Sequence, residues 1–169
     1  MLNKFNKIIN NKYSIFFKFI FSLRYLFLIF FISFISFLIT PNFFDYEKRS
    51  LRIKNYLYKN YQLKINDYSE INFKPFPVPI LEIKNVESEF NLTSSSINSE
   101  KIILYPNFFS IYNYDNFSIK KLIISNSETK LNIDEIVPFV KQITNQKKNF
   151  HIKKLNLKLF NKNNLLLSL

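Results

Sequence analysis

The chain of 169 residues is predicted to be mainly β, with a single N-terminal transmembrane helix followed by an open, repeat-like β-sheet that carries one or two short helices. Three observations predict this class. Residues 19–40 form an almost uninterrupted apolar run, later segments alternate apolar and polar residues, and one strand-like motif recurs 33 residues further on. The chain is therefore divided into a basic tail (1–18), a membrane span (19–40) and a β-rich region (41–169).

The apolar run at residues 19–40 has the length of one bilayer crossing. A helix rises about 1.5 Å per residue, so the run extends about 33 Å, against a hydrocarbon thickness of about 30 Å. Its one charged residue, Arg24, lies near one end and can reach the headgroups. Lysines precede the run and no acid occurs before Asp45, so the positive-inside rule places the N-terminus in the cytoplasm. A cleaved signal peptide is the alternative, although its apolar core would be shorter.

Composition argues against several classes of function. The chain has no Cys, which excludes a disulfide framework and thiolate metal sites, and no Gly, which the phosphate-binding loops of nucleotide enzymes require. The net charge of +12 is spread over alternating segments, which favours a solvated face over a nucleic-acid interface. We interpret His151 as a surface strand residue, and the pairs Glu87/Glu89 and Asp134/Glu135 as solvent-facing charge and helix capping. We expect a protein that is not an enzyme, with no cofactor, no metal and no nucleic-acid partner.

Two segments after the span are predicted to be helical. Residues 45–61 are rich in charge, and their apolar residues recur at helical spacing, with Ile53, Leu57 and Tyr61 four apart and Leu51 and Tyr58 seven apart. Residues 134–147 depart from the strand period, and Asp134 is placed to cap a helix. The apolar side of that second helix is expected to carry Ile136, Val137, Val140 and Ile143.

The remaining segments are predicted to be strands. Residues 63–65 and 71–73 alternate apolar and polar residues on either side of an Asn66-Asp67 turn signal, which predicts a β-hairpin. Further strands are expected at residues 80–90, 99–105, 119–125 and 129–133, and then around an Asn-Lys-Asn-Asn turn at 161–164. Three prolines within residues 74–79 predict a stiff connector. Asn is expected at the positive-φ turn positions that Gly would otherwise hold.

An internal repeat connects two of these segments. Residues 117–124 recur as residues 150–157, with Phe, Ile, Lys-Lys, Leu and an aliphatic residue in matching places. Repetition at this period is typical of stacked units, and chance similarity in a chain so rich in Ile, Lys and Phe is the alternative. The leucine-rich residues 165–169 would leave an apolar sheet edge uncovered. We therefore expect more chain or a partner to continue the sheet.

The order of these motifs resembles the N-terminal region of the AsmA family. Residues 73–86 match the family's proline-bearing turn and following strand through Pro79, Leu81, Ile83 and Val86, and the next strand matches through Ser99, Ile102 and Leu104. Residues 117–131 and 150–159 are similar to the family's recurrent strand element. Where the family usually has Gly, this chain has Asn or Ser.

The resemblance implies an inner-membrane protein of a diderm bacterium, with a periplasmic β-sheet groove whose inner face is apolar. Such proteins are implicated in outer-membrane biogenesis and in phospholipid transport between the two membranes. Candidate residues lining the groove for lipid, each explained equally well by core packing, are Leu122, Ile124, Leu131, Ile133, Leu155, Leu157 and Leu159. The alternative function is a bitopic scaffold whose C-terminal strand edge pairs with an envelope-assembly partner by strand addition.

Overall fold

The computed structural model describes residues 2–91, 96–146, 149–161 and 164–168. The chain forms two compact units, residues 1–40 and residues 41–169. The centre of the turn predicted at residues 161–164 lies outside the described residues.

The first unit is one helix, α1 (Leu2–Ile39). Its apolar segment reaches a mean hydropathy of 2.2 over 18 residues, and none of that segment is buried against protein. The helix begins well before the predicted span, because no Gly or Pro interrupts the chain before Pro41. The described residues thus contain one N-terminal helix long and apolar enough to cross a membrane.

Among its described residues, the second unit is an open sheet of seven strands with helices on one face. The strands are β1 (Leu63–Asp67), β2 (Glu70–Lys74), β3 (Ile80–Phe90), β4 (Ser96–Pro106), β5 (Ile119–Asn132), β6 (Phe150–Asn161) and β7 (Asn164–Ser168), and the helices are α2 (Tyr46–Tyr61) and α3 (Ile133–Thr144). Short 3₁₀ turns occupy Thr40–Phe43, Phe108–Ile111 and Tyr114–Asn116. The strand order is β1-β3-β4-β5-β6-β7, with β2 also paired to β3. The mainly β class is confirmed.

The predicted hairpin is wrong, because β1 and β2 both pair with β3 as two consecutive pieces of one edge. Leu63 lies opposite Phe90 and Lys74 lies opposite Ile80, so the chain keeps its direction through the break. At that break the backbone N–H and Oγ of Ser69 both donate to the carbonyl oxygen of Lys84, at 3.0 and 3.1 Å. Strand β3 has eleven residues, whereas β1 and β2 have five each. Each short strand therefore finds a longer pairing partner in β3 than it would find in the other short strand.

Helix α2 matches its prediction in position. The Asp45 side chain caps the helix by accepting from the Lys48 N–H at 3.1 Å, and Gln62 ends it with a left-handed φ of 52°. Ile53, Leu57 and Tyr61 are buried. Leu51 and Tyr58, in contrast, are 66% and 48% exposed, so the buried stripe is narrower than predicted.

A transverse row of unusual backbone crosses the sheet. In the described chain, positive φ occurs inside strands at Asn85 (48°), Asn126 (51°) and Lys154 (57°). The flanking register aligns these three residues, with Glu100 of β4 between the first two. Asn therefore takes two of these conformations as expected, although inside strands rather than in turns.

This row, residues 85, 100, 126 and 154, shifts the alternation of every strand it crosses. In β3 the buried apolar residues are Leu81 and Ile83 before the row but Val86 and Phe90 after it, so odd positions give way to even ones. Because β5 passes through Asn126 without ending, the two strands predicted at 119–125 and 129–133 are one strand.

The 33-residue repeat is not reflected in the strand pairing. Strands β5 and β6 are parallel and joined through α3, and Leu122 pairs with Phe150, an offset of 28 residues. The other pairings in the sheet are antiparallel. The Lys-Lys pairs of the two motifs consequently lie at different levels of the sheet.

The core lies between the sheet and the two helices. Tyr61 of α2 packs 6.2 Å from Phe150, and Phe90 packs 6.1 Å from both Phe150 and Phe139 of α3, measured between ring centroids. Both helices therefore cover the same face. The start of α3 differs from its prediction, because Asn132 rather than Asp134 is the cap, and its N–H donates to Glu135 at 3.2 Å.

A candidate apolar ligand surface

The two flanks of α3 differ in chemistry. One flank faces α2, since Gln142 Nε2 donates to Gln62 Oε1 at 2.9 Å and Gln146 Nε2 donates to the Tyr61 carbonyl oxygen at 2.7 Å. Successive helical residues are about 100° apart, so the opposite flank is fixed by the sequence of α3. That flank carries the aliphatic residues Ile133, Ile136, Val137, Val140 and Ile143, and it ends in Thr144.

The aliphatic flank of α3 is left largely uncovered. Ile133, Val137 and Val140 are 43%, 74% and 51% exposed. The apolar side predicted for this helix is thus only partly buried, because Phe139 and Gln142 take the central buried positions. Helix α2 lies over β1 and β2 and α3 over β5 and β6, so the flank turned away from α2 borders the β6–β7 side of the sheet.

The inner face of β6 and β7 continues this apolar surface. Leu155, Leu157 and Leu159 alternate along β6, are half-buried, and pack against the edge of the core. Leu167 of β7 is 47% exposed and lies opposite Leu159, and directly opposed residues share a face of the sheet. We call this surface the apolar corner, with a helical wall and a sheet floor formed by Ile133, Val137, Val140, Leu155, Leu157, Leu159 and Leu167.

The structure divides the seven residues predicted from sequence to line a lipid groove. Leu122, Ile124 and Leu131 are at most 1% exposed and lie in the closed core, so no ligand reaches them in this structure. Ile133 and the three leucines of β6 belong to the apolar corner. Sequence analysis did not include Val137 and Val140 among the candidate lining residues, although their spacing from Ile133, at four and seven residues, marks one stripe of a helix.

The opposite face of the sheet carries ion pairs as well as the apolar pair Ile103 and Ile123. Three lysine–glutamate pairs span neighbouring strands, Lys64–Glu89 at 2.6 Å and Lys84–Glu70 and Lys158–Glu128 at 2.5 Å. The hydrogen bond from each lysine lowers the pKa of its glutamate. Glu82 is buried beside Lys74 and Lys101. Ion pairs therefore occupy part of the face that lies opposite the apolar corner.

The apolar corner is suited to binding by burial. The side chains that define it are aliphatic, so they offer no hydrogen bond, charge or nucleophile to a ligand. Each methylene buried there would contribute about 0.8 kcal/mol. In the part of the chain that the structure describes, no group of three His, Asp or Glu residues could hold a metal ion. His151 is exposed on β6.

The chain matches no family model, no curated protein and no solved structure.

Proposed function

We propose that this chain is a single-pass inner-membrane protein of the bacterial envelope whose periplasmic sheet binds the acyl chains of membrane phospholipid in the apolar corner. It would act in outer-membrane biogenesis or in phospholipid transport between the two membranes. The observation that carries this proposal is the exposed aliphatic corner of α3, β6 and β7, in a chain with a helix long enough to span a bilayer.

The size of the apolar corner supports an extended apolar ligand. From Leu155 to Leu159 the floor runs about 13 Å at the rise of a β-strand. An acyl segment of about ten methylenes covered there would gain about 8 kcal/mol from burial, before the cost of ordering the lipid. Continuity of the aliphatic surface matters more for such a ligand than any single residue.

The charge distribution and the sequence motifs support the compartment. The lysines before residue 19 favour a cytoplasmic N-terminus by the positive-inside rule, which would place residues 41–169 in the periplasm. The AsmA-like order of the proline connector and the following strands favours the same envelope function.

Site-specific photocrosslinking in the native membrane tests this proposal. A benzophenone amino acid at Leu157 or Val137 of the full chain should capture phospholipid. The matched control is Asn156, which is adjacent to Leu157 but exposed on the opposite face of β6. Equal lipid capture from Asn156, or no lipid from either of the other two positions, would contradict the proposal.

Strand addition at β7 is the second candidate function. Among the described residues β7 pairs with β6 alone, and its Leu165, Leu166 and Leu167 are 57%, 55% and 47% exposed. A strand from an envelope-assembly partner would pair with this edge and cover the leucines. A benzophenone at Leu166 that captures protein, combined with no lipid capture at Leu157, would favour this function over the first.

A further inference from the structure

A second exposed apolar cluster lies outside the surfaces described above. Phe43 is 83% exposed, Phe109 is 75% exposed, Phe76 is 60% exposed and Val78 is 53% exposed. Phe is among the residues most often buried in folded proteins, and grouped exposed apolar side chains mark interaction surfaces. Neither lipid binding in the apolar corner nor strand addition at β7 uses these four residues.

Three members of the cluster lie at one end of the sheet. Phe76 and Val78 belong to the connector between β2 and β3, and Phe109 belongs to the 3₁₀ turn that follows β4. Leu81, near the start of β3, pairs with Leu104, near the end of β4. The connector before β3 and the turn after β4 therefore meet at the same end.

The start of α2 lies at that end too. The rings of Tyr46 and Phe73 are stacked 6.3 Å apart, and the rings of Phe44 and Tyr112 meet edge to face at 6.0 Å. Arg49 lies 3.9 Å above the Phe44 ring and donates to the Ile111 carbonyl oxygen at 3.5 Å. Phe43, next to Phe44 in the chain, thus belongs with the other exposed residues.

The chain itself identifies the occupant of this end. Pro41 is the first residue of the second unit, and its carbonyl oxygen accepts from Tyr46 Oη at 2.7 Å. The membrane-spanning candidate covers Lys18–Phe43, so it runs directly into this unit. If the span crosses a bilayer, covalent continuity holds this end of the sheet within a few residues of the membrane surface.

We infer that this end of the second unit docks on the phospholipid bilayer, with Phe43, Phe76, Val78 and Phe109 inserted at the boundary between headgroups and acyl chains. The inference rests on the anchoring part of the proposed function and is independent of lipid binding in the apolar corner. Interfacial elements of this kind bury apolar side chains about 5–10 Å below the headgroups.

Docking by apolar insertion does not require an anionic headgroup. Two lysines at this end have acidic partners, since Lys48 lies 3.1 Å from Asp45 and Lys74 pairs with Glu82. A paired lysine attracts an anionic headgroup less than a free one does. Docking therefore occurs on zwitterionic membranes as well as on anionic ones.

Single-tryptophan fluorescence tests the docking, because the natural chain has no Trp. The variants Phe43→Trp, Phe76→Trp and Phe109→Trp change exposed side chains and keep an aromatic ring. The full chain is reconstituted in phosphatidylcholine vesicles with brominated acyl chains, which quench nearby Trp. Ile32→Trp reports the span, and Lys130→Trp, about 36 Å along β5 from its first residue, reports the far end.

We expect about a twofold loss of emission at the three docking positions, from insertion to interfacial depth. Emission should fall further at Ile32→Trp and stay unchanged at Lys130→Trp. If Ile32→Trp is quenched but the three docking positions are not, the docking is overturned and the anchor stands. If Ile32→Trp is unquenched, anchor and docking are both overturned. If Lys130→Trp is quenched as strongly as the three docking positions, the contact is not made by one end of the sheet, and the proposed docking is overturned.

Discussion

Replacing Asn126 by glycine and by valine should reverse the order of stability that the same two substitutions produce at Asn98. Asn126 lies in the transverse row with a φ of 51°, whereas Asn98 is not among the positive-φ residues. Both are exposed asparagines inside central strands of the sheet. The pair therefore separates the effect of backbone conformation from that of residue type and exposure.

The expected magnitude follows from two opposing preferences. At Asn126 a side chain with a Cβ costs about 1–2 kcal/mol in the left-handed region, and a β-branched residue is among the least tolerated there, so glycine should be more stable than valine by about that amount. Both variants lose the hydrogen bond from Asn126 to Glu100, so this loss cancels in the comparison. At Asn98 valine should exceed glycine by about 1 kcal/mol through strand propensity. The difference in the free energy of unfolding between the glycine and valine variants therefore changes sign between the two positions, and it changes by about 2–3 kcal/mol in total.

Denaturant unfolding of the full chain in detergent micelles, followed by near-ultraviolet circular dichroism of its tyrosines, measures the four free energies of unfolding. Glycine should rank above valine at position 126 and below it at position 98. The reasoning is refuted if valine matches or exceeds glycine at position 126, because the row would then impose no left-handed backbone.

Two further measurements test the core. Leu57→Ala should lower the free energy of unfolding by about 2–5 kcal/mol, because Leu57 is fully buried. The control Leu51→Ala should change it by less than about 0.5 kcal/mol. Similar losses from the two variants would contradict the narrow buried stripe of α2. Burial raises the pKa of Tyr61 from 10.0 to about 12, so the folded state favours the neutral phenol. The resulting stability is present below pH 10 and is lost as the pH rises from 10 to about 12. Between pH 10 and about 12, the thermal unfolding temperature of Tyr61→Phe should depend less on pH than that of the natural chain. An unchanged dependence would contradict a contribution of the buried Tyr61 phenol to stability.

Local features of the chain could be predicted from sequence. The apolar N-terminal helix depends on an uninterrupted run, and α2 depends on Asp45 and on apolar residues four apart. Strand β3 has the predicted bounds of Ile80–Phe90 because alternation and the preceding prolines act within a few residues.

The alternation of apolar and polar residues led to a wrong prediction where the backbone of a strand adopts a left-handed conformation. The positive φ of Asn126 shifts the buried positions of β5, so one strand was predicted as two. Nothing in the alternation itself shows that Asn85, Asn126 and Lys154 lie in one row, because that alignment depends on the register between strands.

By itself the sequence determined a membrane-spanning candidate, a mainly β region and the bounds of its helix α2, all of which depend on residues close together in the chain. The tertiary structure decided that β1 and β2 share the edge of β3, that β5 and β6 pair at an offset of 28 residues, and which flank of α3 stays uncovered. The physical reason is competition between distant partners. Leu122 and Leu157 have the same chemistry, yet one is enclosed by the helices and the other lies at the open side, since only packing determines which apolar residues remain for a ligand.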